Sequence, residues 1–231
     1  LFVVSKMGGA WTAQYIGLSG KTVKSVAISE SNIFVATEYA GVFIGNQSGT
    51  SWYMSHCCPN VAAILNEIEV VGTTVFLGTS RGVYTSDDHG VTWHSANVGL
   101  PAQDGLIFDI SDIVALESKI YVFGEVTGIQ AGGGGYYSMN NGKSWTIMDP
   151  NYLINNAVTS GSDIYATNGI NLYYQHGANG TMIDLGLRNF SSICASNVGL
   201  FAIGIKSNFP DADEKEVFYS TDQGKVWTKM G

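Results

Sequence analysis

The chain has 231 residues, enough for one large β domain, and its 29 glycines against 4 prolines signal many tight turns rather than disorder. A formal net charge of −8, with no basic cluster, argues against nucleic acid or an anionic membrane surface as partner. No apolar run reaches the length of a membrane span, and no signal-peptide pattern opens the chain.

The tryptophans supply a ruler. Trp11 to Trp52 is 41 residues, Trp52 to Trp93 is 41, Trp93 to Trp145 is 52, and Trp145 to Trp227 is 82, twice 41. Such a period marks a repeat architecture, and one repeat has lost its tryptophan. Within each repeat three apolar, β-branched or aromatic runs precede the Trp and one strand follows it, which is the blade of a β-propeller.

In chain order, residues 1–18 hold only the end of a blade, with Leu1 to Val4 as a third strand and Trp11 to Ile16 as a fourth. Residues 23–56 form a full blade through Val26-Ala27-Ile28, Ile33-Phe34-Val35-Ala36 and Val42-Phe43-Ile44 ahead of Trp52. Residues 66–98 repeat it: Thr74-Val75-Phe76-Leu77-Gly78-Thr79 parallels Asn32-Ile33-Phe34-Val35-Ala36-Thr37. Residues 107–148 keep the plan, with Gly128 to Gly135 as an insertion between the second and third strands. Residues 154–187 are the blade without its Trp motif: Tyr173-Tyr174-Gln175-His176 stands at the motif's start, and Ile183 falls near the Trp position. Residues 189–231 close the chain, with Lys206 to Glu216 as a second insertion. The expectation is an all-β single domain, a propeller of four-stranded antiparallel blades, five full and one half, with six-fold closure preferred. Because the chain begins at Leu1, it is expected to be a processed product or part of a longer polypeptide.

Each full motif is a turn followed by its Trp. Ser86, Asp88, Gly90, Thr92 and Trp93 form S-x-D-x-G-x-T-W, and the pattern returns at Ser138, Asn140, Gly142, Ser144 and Trp145 and at Ser220, Asp222, Gly224, Val226 and Trp227. Decayed copies run from Gly45 through Gln47, Gly49 and Ser51 to Trp52, and from Val4 through Gly8 to Trp11. Asp88 is expected to accept backbone N–H bonds within its own turn and Gly90 to supply a positive φ. These residues resemble the Asp-box of the sialidase-type (bacterial neuraminidase) repeat, over nearly the whole chain. The resemblance implies a propeller with the boxes in the hairpin between third and fourth strands at the outer rim. It does not imply one function, since enzymes, receptors and assembly factors share the repeat.

Sialidases of that family hold the substrate carboxylate with three arginines, and this chain has two, Arg81 and Arg188. Xyloglucanase-like relatives work in a cleft between two propellers, for which this chain is too short. Photosystem II assembly-factor propellers carry an arginine-rich patch, which is absent. Asp87-Asp88 is a poor catalytic pair, because adjacent strand residues point to opposite faces. No HExxH, P-loop, GxSxG or dinucleotide fingerprint is present, and the tetraglycine lacks the Lys and Ser/Thr of a phosphate cradle. His56, His89, His94 and His176 have no metal spacing and are read as solvated turn residues. The run from Asp211 to Glu216 is read as a solvated acidic loop, with weak calcium binding the lesser reading. Cys57, Cys58 and Cys194 form no framework; they are read as thiols, with a vicinal disulfide at Cys57-Cys58 the alternative. No cofactor or metal is expected. Three glycosylation sequons, at Asn46, Asn179 and Asn189, point towards a secreted protein.

A binding role remains. In propellers the loops from second to third strand, and from fourth strand to the next first, lie on the face opposite the boxes. They carry Tyr39, Arg81, His56 to Asn60, Pro101 to Gly105, Gly128 to Gly135, Asn151-Tyr152, Arg188-Asn189 and Lys206 to Glu216. Tyr39 and Tyr152 are candidates for stacking on a sugar or side chain, Arg81 and Arg188 for meeting a carboxylate. The expected function is a non-catalytic extracellular module for a protein or carbohydrate partner. One alternative is a glycoside hydrolase-type enzyme on an unrecognised acid pair, Asp104 and Asp109 being the acids to test. The other is a structural subunit that self-assembles through open strand edges.

Overall fold

The computed structural model describes residues 2–7, 10–15, 17–57, 63–101, 107–127, 132–149, 153–205 and 215–230. The chain divides into two compact units, Leu1–Asn97 and Val98–Gly231. Among the described residues the secondary structure is β throughout, with five four-stranded antiparallel sheets and one hairpin.

In the first unit, β1 (Phe2–Met7) and β2 (Ala10–Tyr15) pair as a two-stranded sheet with Lys6 opposite Trp11. The sequence reading ended β1 early, at Val4. The first full blade is β3 (Val23–Ile28), β4 (Asn32–Thr37), β5 (Gly41–Asn46) and β6 (Trp52–Ser55); the second is β7 (Leu65–Val71), β8 (Thr74–Thr79), β9 (Gly82–Ser86) and β10 (His94–Ser95). Both are meanders in sequence order. Their second strands are buried on both faces, so β4 and β8 read as near-continuous apolar runs, as the interior strands of stacked sheets should. Ala27, Phe34, Ile44, Ile68, Leu77 and Trp93 belong to one cluster that fills the space between the two blades.

The second unit holds three blades. The first is β11 (Ile107–Leu116), β12 (Lys119–Thr127), β13 (Gly132–Ser138) and β14 (Thr146–Asp149). The next is β15 (Asn156–Ser160), β16 (Asp163–Thr167), β17 (Asn171–His176) and β18 (Ile183–Arg188), and the last is β19 (Phe190–Ser196), β20 (Gly199–Ile205), β21 (Lys215–Ser220) and β22 (Thr228–Lys229). Phe123, Ile164, Tyr173 and Met182 share one inter-blade core, and Leu172, Phe190, Ile193 and Leu200 belong to the next.

Two expected insertions are shorter than the sequence suggested. Gly132 to Gly135 lie inside β13, paired with Val126 to Phe123, rather than in a loop. The glycines fit because neighbours sit on the strand: a Cβ on Gly133 would stand 1.9 Å from Leu153 Cδ2, and one on Gly135 3.0 Å from the Phe123 ring. Lys215 and Glu216 likewise open β21, opposite Ile205 and Gly204. The acidic residues Asp211 to Glu214, Gly128 to Gln130 and Cys58 lie outside the described residues.

Candidate functional site

The repeated turn is built from its own side chains. In the second blade, buried Ser86 accepts the Gly90 N–H at 2.8 Å and donates to Asp88 Oδ1 at 2.7 Å, while Asp88 accepts the Thr92 N–H at 2.8 Å and the Thr92 hydroxyl at 2.5 Å. The Thr92 hydroxyl, before its N–H and Ser86, holds the Asp88 carboxyl well below the usual range. Asp87 is engaged too, accepting Thr74 Oγ1 at 2.6 Å. Asp88 is thus committed to its own turn, and Asp87 ties that turn to the start of β8.

The other copies repeat this wiring with altered chemistry. Asn140 accepts the Ser144 N–H at 2.9 Å as Asp88 does, but its Nδ2 donates to Ser144 Oγ at 2.8 Å, reversing the second bond. Asp222 accepts the Val226 N–H and Ser220 Oγ at 2.9 and 2.8 Å, and the Val226 N–H contributes most to lowering its carboxyl. Gly90 has φ +83°, Gly142 +77° and Gly224 +77°, and the residue before each is also left-handed: His89 at 60°, Asn141 at 58° and Gln223 at 62°. The sequence reading assigned positive φ to the glycine alone.

In the decayed turn of the first blade, Gln47 stands at the Asp position but does not do its work. Asn46 does, accepting the Thr50 N–H at 2.9 Å and the Ser51 N–H at 3.3 Å. The Trp role survives: Trp52 Nε1 donates to Gly49 O at 2.9 Å, as Trp93 does to Gly90 O at 3.1 Å and Trp227 to Gly224 O at 3.0 Å. Buried Trp145 ends the second full turn, with its backbone N–H donating to Val98 O at 2.8 Å. Trp11 contributes its backbone to β2.

Within each unit, the turn of a later blade is carried by the blade before it. Trp93 Nε1 donates to Ser55 Oγ at 2.9 Å, and a Cβ on Gly90 would stand 2.5 Å from Ile44 Cδ1 and 3.4 Å from the Phe34 ring. In the second unit Tyr165 OH donates to Gln223 O at 3.0 Å, and Tyr121 OH donates to Ala178 O at 2.7 Å. Phe34, Tyr121 and Tyr165 are the third residues of β4, β12 and β16, one position of the repeat.

That register also locates the lost motif. Ser86, Ser138 and Ser220 face the second residue of their second strands, Val75, Ile120 and Leu200; the residue facing Ile164 is Gln175. Seven residues on stands Met182, buried, where Trp93 stands in its own blade, whereas Ile183 is half-exposed in β18. Ile183 is therefore not the Trp counterpart. His176 is exposed but bound: its Nδ1–H donates to the buried Asp163 at 2.6 Å.

On the innermost strands the structure assembles polar groups that the sequence reading missed. Ser25 Oγ donates to Glu67 Oε1 at 2.6 Å, linking β3 to β7. Glu69 shares the Glu67 face of β7, and burial, reinforced by the Glu67 charge, pushes it up to about 7; burial raises Glu67 as well. In the second unit buried Asp112 accepts the Ala157 N–H at 2.6 Å, and Asn156 accepts the Ile193 N–H at 2.7 Å. The alternation of Glu67, Ile68, Glu69 and Val70 was the available signal. Asp109 lies half-buried on β11 and Asp104 outside the described residues.

Of the expected binding residues, Tyr39 and Arg81 occupy equivalent turns, β4 to β5 and β8 to β9, at one end of the first unit with the exposed His56. Both turns are clamped by a buried threonine: Thr37 Oγ1 donates to Gly41 O at 2.6 Å and accepts the Ala40 N–H at 3.2 Å, and Thr79 Oγ1 donates to Gly82 O at 2.9 Å and accepts the Arg81 N–H at 3.0 Å. Tyr39 is 83% exposed. Arg188 is the last residue of β18, opposite Asn171, rather than a loop residue, and Tyr152 lies outside the described residues. No helix among the described residues is long and apolar enough to cross a membrane, and no cluster of three metal-ligating side chains occurs among them.

Five meandering sheets, three of them seating their turn on the preceding sheet of the same unit, define a β-propeller protein. Solved propellers match it. A GH74 enzyme of Niastella koreensis aligns with TM-score 0.67 and 19% identity over 90% of this chain, which spans 38% of that enzyme's length. A chain of a nidogen/laminin complex aligns at 0.66 and 13%, covering 94% of this chain and 84% of that one, and YCF48 bound to a D1 peptide at 0.61 and 14%, covering 96% and 71%. At these identities the likeness is one of fold. No family model and no curated protein matches the sequence.

Proposed function

We propose that this chain is a non-catalytic, extracellular propeller module of the Asp-box type, which takes a protein or carbohydrate partner on the end that carries Tyr39 and Arg81. The observation that carries the reading is Tyr39, an aromatic ring 83% exposed on a turn that Thr37 clamps from below. A ring held in water on a rigid turn binds at little entropic cost, whether to a sugar face or an apolar side chain. Arg81 on the neighbouring blade adds a fork for a carboxylate. The commitment of Asp88, Asn140 and Asp222 to their own turns, and of Asp87 to Thr74 at the start of β8, supports a scaffold role for the boxes. Similar propellers occur in a laminin complex and with a bound peptide, which agrees with a binding role. The test is a printed glycan array and a peptide array probed with the whole chain. Signal on one array that falls at least ten-fold in Tyr39→Ala, with melting unchanged, supports the reading; signal indifferent to both Tyr39→Ala and Arg81→Ala refutes this location.

One observation favours a second reading. Glu69, raised to about 7 beside Glu67, has the proton affinity of a general acid at neutral pH. Release of reducing ends from xyloglucan by the whole chain, abolished in Glu69→Gln, would replace the binding reading with an enzymatic one.

A further inference from the structure

The blade that lost its Trp motif has a cleft beside the changed turn. It has a volume of about 280 Å³ and is lined by Lys119, Tyr121, Tyr137, Ile147, Met148 and Gln175, with the Ala178–Gly180 segment of the turn as its far wall. Tyr121, Tyr137, Met148 and Ala178 also border the core that holds Met182, so the cleft opens off the seam where the unbranched thioether stands in for an indole. Its volume lies below the roughly 300–1,000 Å³ of sites for drug-sized ligands, and suits a single ring.

The lining specifies that ring. Lys119 Nζ stands 4.4 Å from the centre of the Tyr137 ring and donates to Ala178 O at 2.8 Å and Asn179 Oδ1 at 2.9 Å. Two of its three protons are thus placed, one remains, and no carboxylate pairs with it among the described residues. Gln175 Nε2 donates to Tyr121 OH at 3.2 Å and Gly177 O at 2.9 Å, while Gln175 Oε1 is buried and has no donor. A buried acceptor without a donor is costly, so an occupant that supplies a hydroxyl at this wall gains by it. Ile147 and Met148 give the otherwise polar cleft an apolar edge for the C–H face of a sugar.

We propose that this cleft binds a carboxylate-bearing pyranose, a hexuronic acid residue, with its carboxylate on Lys119 and a hydroxyl towards Gln175. The site is separate from the Tyr39 end and does not depend on it. The occupant is either the free monosaccharide or the terminal residue of an acidic glycan; both present the same ring and carboxylate.

The experiment is a calorimetric or NMR titration of the whole chain with glucuronate, with glucose, and with a glucuronate-terminated disaccharide. Saturable glucuronate binding at least ten-fold tighter than glucose binding is expected. Tighter binding of the disaccharide identifies the glycan terminus as the source, and equal or weaker binding the free acid. Lys119→Met is expected to weaken glucuronate at least ten-fold. Because Lys119 also ties the turn, Ile147→Asp serves as a second variant: it adds a negative charge at a half-exposed wall position, and should weaken glucuronate while leaving glucose unchanged. No saturable glucuronate binding, equal binding of glucose, or glucuronate binding unchanged in Ile147→Asp would overturn the proposal.

Discussion

Replacing Tyr165 with Phe removes one oxygen and nothing else from the seam between the last two blades. The hydroxyl donates to Gln223 O at 3.0 Å, and the ring itself lies against Gly224, where an added Cβ would be 3.1 Å away. Packing is therefore retained and the change removes the partly buried hydrogen bond to Gln223 O together with the hydroxyl's interaction with Asp163, for a net cost of about 0.5–1.5 kcal/mol. The same position in the first unit is already Phe34, buried against the Gly90 turn without a hydroxyl, so the seam accepts a phenyl ring. Tyr121→Phe should cost more, about 1–3 kcal/mol, because its hydroxyl donates to Ala178 O and also accepts Gln175 Nε2 inside the core. Urea denaturation followed by tryptophan fluorescence gives both numbers, provided the slope is unchanged. For a domain of this size about 1 kcal/mol corresponds to about 2–4 °C in melting temperature. The reasoning fails if Tyr165→Phe costs as much as Tyr121→Phe or more, or if neither lowers the midpoint.

Ser86→Ala should destabilise by about 1–3 kcal/mol by leaving the buried Gly90 N–H without its 2.8 Å acceptor, and thermal melting would show it; an unchanged melt would mean that the turn holds without its serine. Gly90→Ala should be more damaging, since it combines a φ of +83° with a Cβ 2.5 Å from Ile44; roughly 2–4 kcal/mol follows, and Ile44→Ala in the same chain should recover part of it. Glu69 predicts a pH dependence: its native pKa of about 7 lies above the ordinary 4.5, so the native state holds a proton that the unfolded chain has released between those values. Its contribution to stability is therefore full below pH 4.5, declines as pH rises through 7, and amounts to about 1–2 kcal/mol after allowance for partial solvation. Glu69→Gln should melt higher than the parent at pH 8 and level with it at pH 4; a constant difference across that range would rule out the carboxyl as its source.

The tryptophan spacing and the S-x-D-x-G pattern carried most of the architecture, because each is a local requirement repeated at a fixed period. Strand order, the box hairpins and the five sheets follow from it. What escaped depended on register or on neighbours. Gly132 to Gly135 looked like a loop because glycine favours turns, yet they form a strand on which Leu153 crowds Gly133 and the Phe123 ring crowds Gly135. Gln175 and Met182 became recognisable as the worn motif only once Ile164 was seen opposite Gln175. Thr37, Thr79 and Thr167 end three second strands as turn clamps, a signal present in the repeat but indistinguishable from ordinary β propensity. Glu67 and Glu69 were hidden because acids on a strand read as a solvent face, whereas here they are largely shielded from water.

The seam between blades has a direction. Within the units the aromatic ring belongs to the earlier blade and the turn to the later one: Phe34 meets Gly90, Tyr121 meets Ala178 57 residues on, and Tyr165 meets Gln223 58 residues on. During synthesis each platform therefore leaves the ribosome before the turn that lands on it. Within each unit a nascent blade needs only its predecessor in order to dock, and assembly can proceed from the amino terminus one blade at a time.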